Sequence, residues 1–260
     1  MRVVTLNLNG LRAAQRKGLV AWLTAVKPDI VCCQEVRAYE TDLDEAIRNP
    51  AGLRGYFVVA EKPGYSGVAI FCRKKPLRVD KKIGHKILDT EGRWLRLDFA
   101  RCSVFSLYMP SASSGDARQQ IKYEIMDAVY EKLAALSKKA KREGRELLLC
   151  SDINIAHTEK DIKNWRGNMK NSGFLPDERA WLSRLFESGW HDVFRRLNDE
   201  DGQYTWWSNR GRAWQNNVGW RIDYQIATAQ LAGRAYHADI YKTERFSDHA
   251  PLVIDYRFAL

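Results

Sequence analysis

Four acidic residues lie at the polar ends of apolar runs that are far apart in this chain. They are Glu35 in DIVCCQE, Asp152 in ELLLCSDIN, Asp223 in WRIDYQIA and Asp248 in SDHAPLVIDY. Apolar runs of this length predict buried strands. Because a carboxylate is rarely buried without a partner, each one indicates a place where the core gives way to a cleft. The pattern therefore predicts one polar site that is built from the ends of several strands.

The other strand-like segments predict two sheets. We predict a strand over residues 2–9, a hairpin formed by YFVVAEK and SGVAIFCRK, and an antiparallel pair formed by RWLRLDFA and CSVFSLYMP. The last strands come from YTWW, WRIDYQIA, AYHADIY and PLVIDYRF. Both halves of the chain contain several strands, a helix and then further strands, but no sequence repeat is present.

Three segments predict helices outside these sheets. The first covers residues 11–25. The second covers residues 116–143, where apolar residues recur at three- and four-residue spacing, with Asp116 or Ser114 as a cap at its start and Gly144 at its end. The third begins at the proline of PDERAWLSRLF, after a polar loop over residues 155–176. Because no Pro/Gly/Ser-rich linker divides the chain, we predict one α+β domain over residues 1–260.

The chain is strongly basic. Its net charge of +10, from 42 basic and 32 acidic residues, favours a polyanionic partner, although solubility alone would also explain the charge. Five cysteines lie in or beside apolar runs and form no C-x-x-C pair. They predict buried, reduced thiols in a cytoplasmic protein. We find no signal peptide and no apolar stretch of membrane-spanning length, so no membrane partner is expected.

Glu35 and the SDIN segment suit metal-assisted chemistry on a phosphate. Mg²⁺ binds through one or two carboxylates and keeps several waters, but a strand-end salt bridge would explain Glu35 equally well. If the strand continues, Asp152 and Asn154 point to the same side. Asp152 could then orient or deprotonate a water while Asn154 donates to it or to a phosphate. The alternative is an Asx turn that ends the strand. Asn7 and Asn9 repeat this spacing in VVTLNLNG.

Three further features are candidates for the same site. His249 follows Asp248 directly, and because neighbours on a strand face opposite sides, we expect His249 to pair with Asp223 instead. Tyr108 ends a strand and could donate to a phosphate, although a rim aromatic is the simpler explanation. Residues 157–171 carry lysine, arginine and asparagine side chains that could bind a phosphate backbone; the alternative is a solvated loop.

Taken together, these segments resemble the exonuclease III family of abasic-site endonucleases, within the endonuclease/exonuclease/phosphatase superfamily. The segments that carry the resemblance keep the family's order over essentially the whole chain: LNLNGLRA, DIVCCQE, GYSGVAIF, EGRWLRLDF, YMP, SDINIAH, GNMKNSGF with PDER, NVGWRIDY and SDHAPL. The resemblance implies a four-layered α/β sandwich, in which two mostly antiparallel sheets pack face to face with helices outside. It also implies a monomeric enzyme, nucleoid-associated if bacterial. Such an enzyme uses Mg²⁺, or Mn²⁺ in its place, to cut duplex DNA 5′ to abasic sites.

The resemblance also implies roles for individual residues. The catalytic residues would be Asp152, with Asn154 as its amide partner, the His249–Asp223 pair, Tyr108 and Asn7. The metal side would consist of Glu35, Asp248 and Asn9. The substrate would meet an apolar pocket of Trp206, Trp220 and Ile222 that receives the extruded deoxyribose, and backbone contacts from Asn168, Asn171 and Arg210. Whether Asp152 or His249 is the general base stays open, as does the number of metal ions.

The chain departs from the family's pattern at four positions. Ser151 stands where glycine is usual, Arg37 where lysine is usual, and Ser111 where many relatives carry Asn or Gln, which puts one phosphate contact in doubt. Gly173 leaves the edge of the site without a side chain.

Other functions stay open. The chain could act mainly as a 3′→5′ exonuclease and 3′-phosphatase, or as a non-specific nuclease. It could also be a phosphoesterase for inositol phosphates or sphingolipid, or an inactive DNA-binding module. The basic charge argues against the phosphoesterase, and the intact acidic and histidine positions argue against the inactive module.

Overall fold

Two six-stranded sheets form the centre of the molecule in the computed structural model, which describes residues 1–112 and 115–260. In spatial order, the first sheet contains β13 (Ala235–Ile240), β14 (Leu252–Tyr256), β1 (Arg2–Asn7), β2 (Ile30–Gln34), β4 (Val68–Cys72) and β3 (Arg54–Val58). The second contains β5 (Arg78–Asp80), β6 (Trp94–Asp98), β7 (Cys102–Tyr108), β8 (Glu146–Asp152), β12 (Asp223–Thr228) and β9 (Trp190–Asp192). A separate two-stranded ribbon consists of β10 (Trp206–Trp207) and β11 (Gly219–Trp220).

Helices and short helical turns connect these strands. The α-helices are α1 (Leu11–Arg16), α2 (Leu19–Val26), α3 (Glu45–Arg48), α4 (Lys86–Thr90), α5 (Asp116–Glu143), α6 (Trp165–Asn168), α7 (Pro176–Glu187), α8 (Val193–Leu197) and α9 (Ala229–Ala232). Short 3₁₀ turns cover Glu40–Asp42, Pro50–Gly52 and Glu159–Asp161. No helix within residues 1–112 and 115–260 is both long enough and apolar enough to cross a membrane.

Both faces of each sheet are apolar, which explains the layers. Successive residues of a strand point to opposite faces. In the first sheet, Val3 packs between the sheets while Val4 packs beside Trp22 of α2. In the second sheet, Leu148 packs between the sheets while Leu149 packs beside Val129 of α5. The predicted sandwich with helices outside is therefore confirmed.

Each sheet contains one parallel pair among antiparallel ones. Strands β1 and β2 run parallel in the first sheet, and β7 and β8 run parallel in the second. The remaining neighbours within both sheets are antiparallel. Because parallel strands end at the same edge, each sheet presents two adjacent carboxyl ends there. Asn7, Glu35, Tyr108 and Asp152 lie at or directly after these four ends and belong to the site described below.

Several predicted elements are confirmed. The hairpin is β3 with β4, the antiparallel pair is β6 with β7, and α5 covers residues 116–143 as expected. Gly144 ends α5 in the left-handed conformation that glycine adopts without strain. The predicted cap by Asp116 is wrong, because Gly115 precedes the helix and Asp116 is its first residue. The alternative cap, Ser114, lies outside the described residues. All five cysteines are free thiols in the core.

Two local predictions are wrong. The segment 11–25 forms two helices, α1 and α2, because the chain turns at Lys17 and Gly18, where Gly18 has a φ of 93°. The predicted strand over residues 2–9 ends at Asn7, and Asn9 already has a positive φ of 44°. In both places a polar or glycine residue takes a left-handed conformation that ends regular structure.

Candidate active site

Most of the predicted site residues line one cavity of about 730 Å³ at the carboxyl ends of β2, β7 and β8. The register explains why they meet: Tyr108 lies opposite Asp152 in the parallel pair, and Asp223 lies opposite Asp152 in the antiparallel pair of β8 with β12. The predicted residues in the lining are Asn9, Glu35, Tyr108, Asp152, Asn154, Asn171, Trp206, Trp220, Ile222, Asp248 and His249. Asn7 and Asp223 are fully buried behind this lining.

Asn7 holds two of the carboxylates together. Its amide nitrogen donates to Glu35 Oε1 at 2.9 Å and to Asp152 Oδ2 at 2.8 Å, and its oxygen accepts from the Asn9 backbone N–H at 2.9 Å. The side chain is 0% exposed. Both amide hydrogens are therefore used inside the protein, so the expected donation from Asn7 to a phosphate oxygen does not fit this geometry. Its contacts instead fix the spacing of Glu35 and Asp152.

Glu35 follows β2 in a left-handed conformation, with a φ of 49°. The Tyr108 hydroxyl donates to its Oε1 at 2.7 Å, and the half-exposed Arg37 guanidinium donates to its Oε2. Burial and the charge of Glu35 raise the pKa of Tyr108 well above its ordinary value, so the phenol stays a donor. Arg93, which is almost fully buried, lies 4.4 Å from the centre of the Tyr108 ring.

His249 and two carboxylates form the deepest part of the site. Its Nδ1 lies 2.8 Å from Asp223 Oδ2, as predicted, and its Nε2 lies 3.9 Å from Asp152 Oδ2. Burial alone would lower the pKa of His249, but the Asp223 carboxylate raises it to about 10. Burial, together with the charge of Asp223, raises the pKa of Asp152 to about 8. Asp223 therefore orients the imidazole and stabilises its charged form.

Asn154 reaches the site by a turn and not by continuation of a strand. Strand β8 ends at Asp152, and Asn154 has a φ of 55°. Its backbone N–H donates to Asp152 Oδ1 at 3.0 Å, which is the Asx-type contact that we considered as the alternative. One amide hydrogen of its side chain goes to the Met109 carbonyl at 2.9 Å. The expectation that Asp152 and Asn154 share a strand face is wrong, although both line the cavity.

Two tryptophans form one wall of the cavity. Trp206 and Trp220 are paired across the β10–β11 ribbon, with ring centroids 6.3 Å apart and an edge-to-face angle of 79°. Ile222 packs beside them and is 5% exposed. The Trp206 indole N–H donates to Asp248 Oδ2 at 3.1 Å, and Asn9 Nδ2 donates to Asp248 Oδ1 at 2.9 Å. Asp248 is thereby part of the support of this wall.

One cluster of side chains in the described residues has the chemistry of a divalent-metal site. Asp152, Asp223 and His249 have ligand atoms within 4.8 Å of one another, but the Nδ1 of His249 is already bonded to Asp223. Glu35 and Asp248 are not part of that cluster. Glu35 nevertheless fits Mg²⁺, which needs only one or two protein carboxylates. The guanidinium on Glu35 Oε2 belongs to Arg37, a half-exposed side chain that could turn into solvent and leave this oxygen to a metal ion. An acidic site able to hold a metal is therefore present.

Three predicted substrate-binding residues lie at or beyond the rim. Asn171 is exposed at the edge of the cavity, and its amide donates to Asn168 Oδ1 at 2.9 Å. Asn168 donates to the Asn164 carbonyl at 3.0 Å and is not part of the lining. Arg210 is exposed and also lies outside the lining.

The lining is also supported by two buried cations that were not among the predicted residues, Arg93 under Tyr108 and Lys122 of α5. Lys122 is 0% exposed and bonds Glu178 of α7, which is also 0% exposed. The burial of Lys122 could have been predicted, because Lys122 lies four residues before the buried Met126 and therefore on the same, inward face of α5.

The chain is similar to known proteins over nearly its whole length. Residues 4–249 match the model of the endonuclease/exonuclease/phosphatase family. An exodeoxyribonuclease of Bacillus subtilis is 35% identical over 97% of this chain and 98% of its own, and the DNA repair nuclease APEX1 of Danio rerio is 36% identical over 98% of this chain and 81% of its own. The structure of an AP endonuclease from Archaeoglobus fulgidus superposes with a TM-score of 0.87 over 99% of this chain and 100% of its own, at 26% identity. The chain therefore belongs to the endonuclease/exonuclease/phosphatase family.

Proposed function

We propose that this protein is a Mg²⁺-dependent DNA-repair nuclease that hydrolyses the phosphodiester on the 5′ side of an abasic site in duplex DNA. The products are a 3′-hydroxyl and a 5′-deoxyribose phosphate. The observation that carries the proposal is one cavity in which Glu35, Asp152 and the His249–Asp223 pair face a wall of two tryptophans. The basic charge of the chain and the activities named for its relatives support a nucleic-acid substrate.

The residues of the cavity divide the chemistry among them. Asp152 accepts a proton from a water as that water attacks the phosphorus in line with the leaving 3′-oxygen. The contacts from Asn7 and the Asn154 backbone hold the Asp152 carboxylate in one orientation. The charged imidazole of His249, with its Nδ1 on Asp223, donates through Nε2 to a phosphate oxygen as negative charge develops there. The single hydroxyl hydrogen of Tyr108 goes to Glu35 Oε1, so Tyr108 orients the Glu35 carboxylate.

Glu35 would hold Mg²⁺, which when bound neutralises charge on the phosphate and on the leaving oxygen. Asp248 and Asn9 both line the cavity and bond each other. Asp248 also accepts from the Trp206 indole, and this bond connects the pair to the apolar wall. Mn²⁺ prefers the same oxygen ligands and is expected to substitute.

Selection of the abasic site would follow from the size of the pocket between Trp206, Trp220 and Ile222. A sugar without a base loses little stacking when it leaves the duplex, whereas an intact nucleotide loses more. The half-buried indoles offer an apolar surface for the deoxyribose.

A cleavage gel tests the proposal directly. The substrate is a 5′-labelled duplex with a single abasic site, beside an undamaged duplex and a duplex with a 3′-phosphate end. We expect Mg²⁺-dependent incision 5′ to the abasic site, abolished by chelator and restored by added Mg²⁺. Full incision in excess chelator by protein purified free of metal would rule out the metal role. Absence of incision with Mg²⁺ would rule out the proposed activity.

The same gel tests the second candidate, a 3′→5′ exonuclease and 3′-phosphatase. This candidate is favoured by the name of the Bacillus relative. Loss of the 3′-phosphate and shortening of the undamaged strand at rates equal to abasic-site incision would make this the main activity.

A further inference from the structure

A buried ion pair behind the cavity connects two outer helices to its wall. Lys122 Nζ of α5 donates to Glu178 Oε1 of α7 at 2.6 Å, and both side chains are 0% exposed. Burying two charges has a large desolvation cost, so a buried pair is weak evidence of stabilisation by itself. Its remaining hydrogen bonds show which parts of the protein it holds.

All of those bonds lead to the lining of the cavity. Lys122 Nζ also donates to the backbone carbonyl of Asn154 at 2.9 Å. Glu178 Oε2 accepts from the backbone N–H groups of Gly173 at 2.6 Å and Leu175 at 3.1 Å. Glu178 Oε1 accepts from Ser172 Oγ at 3.2 Å and from Gln119 at 3.1 Å. Asn154 and the rim segment 172–175 are thus tied to the same two charges.

The rim segment in turn supports Trp220. Gly173 has a φ of 93°, and a side-chain carbon placed on it would lie 3.0 Å from the Trp220 ring and 3.1 Å from the Asn154 carbonyl oxygen. The indole therefore packs directly on the backbone that Glu178 holds. A shift of this segment would change the position of Trp220 and of the Asn154 turn together.

We propose that the Lys122–Glu178 ion pair sets substrate selection by positioning the Trp220 wall and the Asn154 turn relative to each other. Neither residue touches the substrate, so both are positioning residues. The proposal rests on the proposed function and names how the same site discriminates between an abasic sugar and an intact nucleotide. Two buried charges are costly. Their presence is explained if the cavity requires the directional hydrogen bonds that they make.

The test removes both charges together. The double variant Lys122→Met with Glu178→Gln leaves no unpaired buried charge, while it removes the lysine donor to Asn154. The measured quantity is the ratio of abasic-site incision to cutting of undamaged duplex, with kcat and KM for the abasic duplex. We expect the ratio to fall about tenfold or more and the loss to lie mainly in kcat, because small displacements at a reaction centre have effects of this size.

Two further variants are measured beside the double variant. Leu133→Ala destabilises the same helix at a core position away from the cavity, and we expect it to leave the ratio unchanged. Gly173→Ala perturbs the other end of the contact chain while both charged side chains stay in place, and it should lower the ratio as the double variant does. If the double variant does not fold, Gly173→Ala decides the matter.

The outcomes separate the two proposals. Wild-type protein with no preference for abasic DNA would overturn the proposed function and the inference with it. The positioning role alone would be overturned if the folded double variant kept the wild-type preference. If only Gly173→Ala folds, an unchanged preference in that variant would overturn the positioning role. A ratio that falls equally in Leu133→Ala would mean that any loss of stability has the same effect, and would also overturn it.

Discussion

The Asp152 carboxylate receives its contacts from three separate parts of the chain. Asn7 lies at the end of β1, His249 precedes β14, and the Asn154 N–H belongs to the turn after β8. A carboxylate held in this way can take a proton only in one direction. Replacement of one oxygen by an NH₂ group would keep the shape and remove the base.

We therefore expect Asp152→Asn to lower kcat by about 10²–10⁴-fold, the usual contribution of a general base. Binding of abasic duplex, measured by fluorescence anisotropy, should change much less, because the loss concerns the transition state. Asp127→Asn, an exposed carboxylate on α5, is the matched control and should retain wild-type kcat. If Asp152→Asn keeps more than a tenth of wild-type kcat, the water is activated elsewhere and His249 is the next candidate.

The Trp220 side chain is expected to set the size of the pocket. Trp220→Ala would remove one face of the wall, so the preference for abasic over undamaged duplex should fall. Trp214→Ala removes a half-buried tryptophan that packs on Trp207 outside the cavity, and it should leave the preference unchanged. Circular dichroism must first establish that both variants are folded. An unchanged preference in folded Trp220→Ala would transfer discrimination to DNA bending or to the loop over residues 157–171.

At the residue scale, the predicted pairing of His249 with Asp223 is confirmed at 2.8 Å. The reason given for it does not hold, because Asp248 and His249 lie before β14 and not on it. Strand alternation also did not extend to Asn9 and Asn154, because both lie beyond the ends of their strands with positive φ angles. The conformation of such a turn depends on side-chain acceptors from distant segments, which local sequence does not contain.

At the scale of elements, the loop over residues 157–171 presents its cations to solvent. Lys163, Arg166 and Lys170 are exposed, and within the described part of the chain they have no ion-pair partner. Lys160 differs, because it pairs with Asp199 at 2.7 Å. The loop is fixed on both sides of these three exposed cations. Before them, Ile162 forms a bridge with Trp220, and after them, segment 172–175 bonds Glu178. Its charges are therefore placed beside the cavity.

Affinity for duplex DNA should fall steeply with salt because of these charges. Each phosphate neutralised adds about 0.9 to the negative slope of log K against log salt. Replacing Lys163, Arg166 and Lys170 by Gln should flatten the slope, measured by anisotropy at several salt concentrations. Replacing Lys138, Lys141 and Arg142 at the far end of α5 is the matched control, because that end lies at the sheet edge where β8 begins. Equal flattening in both triple variants would contradict a specific role for the loop.

A second element-level feature is the buried carboxylate that joins this loop to the second sheet. Asp161 Oδ1 accepts from Arg221 at 2.7 Å and from Arg195 at 2.7 Å, and Oδ2 accepts from Thr158 at 2.9 Å. Arg221 also bonds Asp192 at 2.7 Å. Burial alone would raise the pKa of Asp161, but Arg221 and Arg195 hold it well below its ordinary value of 3.8.

This network should make the protein sensitive to acid. A carboxylate whose pKa is lower in the folded state stabilises the protein above the unfolded pKa, and this contribution is lost as pH falls below about 4. Urea unfolding at pH 7 should show that Asp161→Asn costs about 3–5 kcal/mol, as expected when one partner of a buried pair is removed. The difference between wild type and variant should shrink progressively as pH falls from about 4 towards the much lower folded-state pKa of Asp161. A difference that is constant with pH would mean that Asp161 acts only through packing.

Sequence prediction of elements succeeded where a single apolar face is continuous. Helix α5 has the predicted bounds because its apolar residues keep their spacing over 28 residues and Gly144 ends it. The segment 11–25 is also rich in apolar residues, but Gly18 at a φ of 93° divides it into α1 and α2. Glycine tolerates helix and left-handed turn alike, so tertiary packing decided between them.

At the scale of the whole molecule, the two sheets share one central core. Residues of both sheets, such as Ile30 and Leu148, belong to the same buried cluster. The number of layers followed from the resemblance and from the uninterrupted apolar runs. The order of the strands did not follow from the sequence, since the first and last strands meet through long-range pairing: β1 lies between β14 and β2.

We propose on this basis that residues 1–260 unfold as one unit. Urea unfolding followed by tryptophan fluorescence and by far-ultraviolet circular dichroism should give coincident transitions. Leu133→Ala in the outer layer of the second sheet should shift both curves together. Separate midpoints for the two signals would indicate two independently folding units.

The pairing of β1 with β14 also has a consequence for synthesis. Proteins are made from the amino end, and Asn9 near that end bonds Asp248, 239 positions later. When a ribosome has completed residue 240, Glu35, Asp152 and Asp223 already exist, but His249 does not. The nascent chain therefore carries most of the acidic groups without the imidazole that completes them. On the proposed mechanism, the site therefore becomes complete only once the segment with Asp248 and His249 has been made.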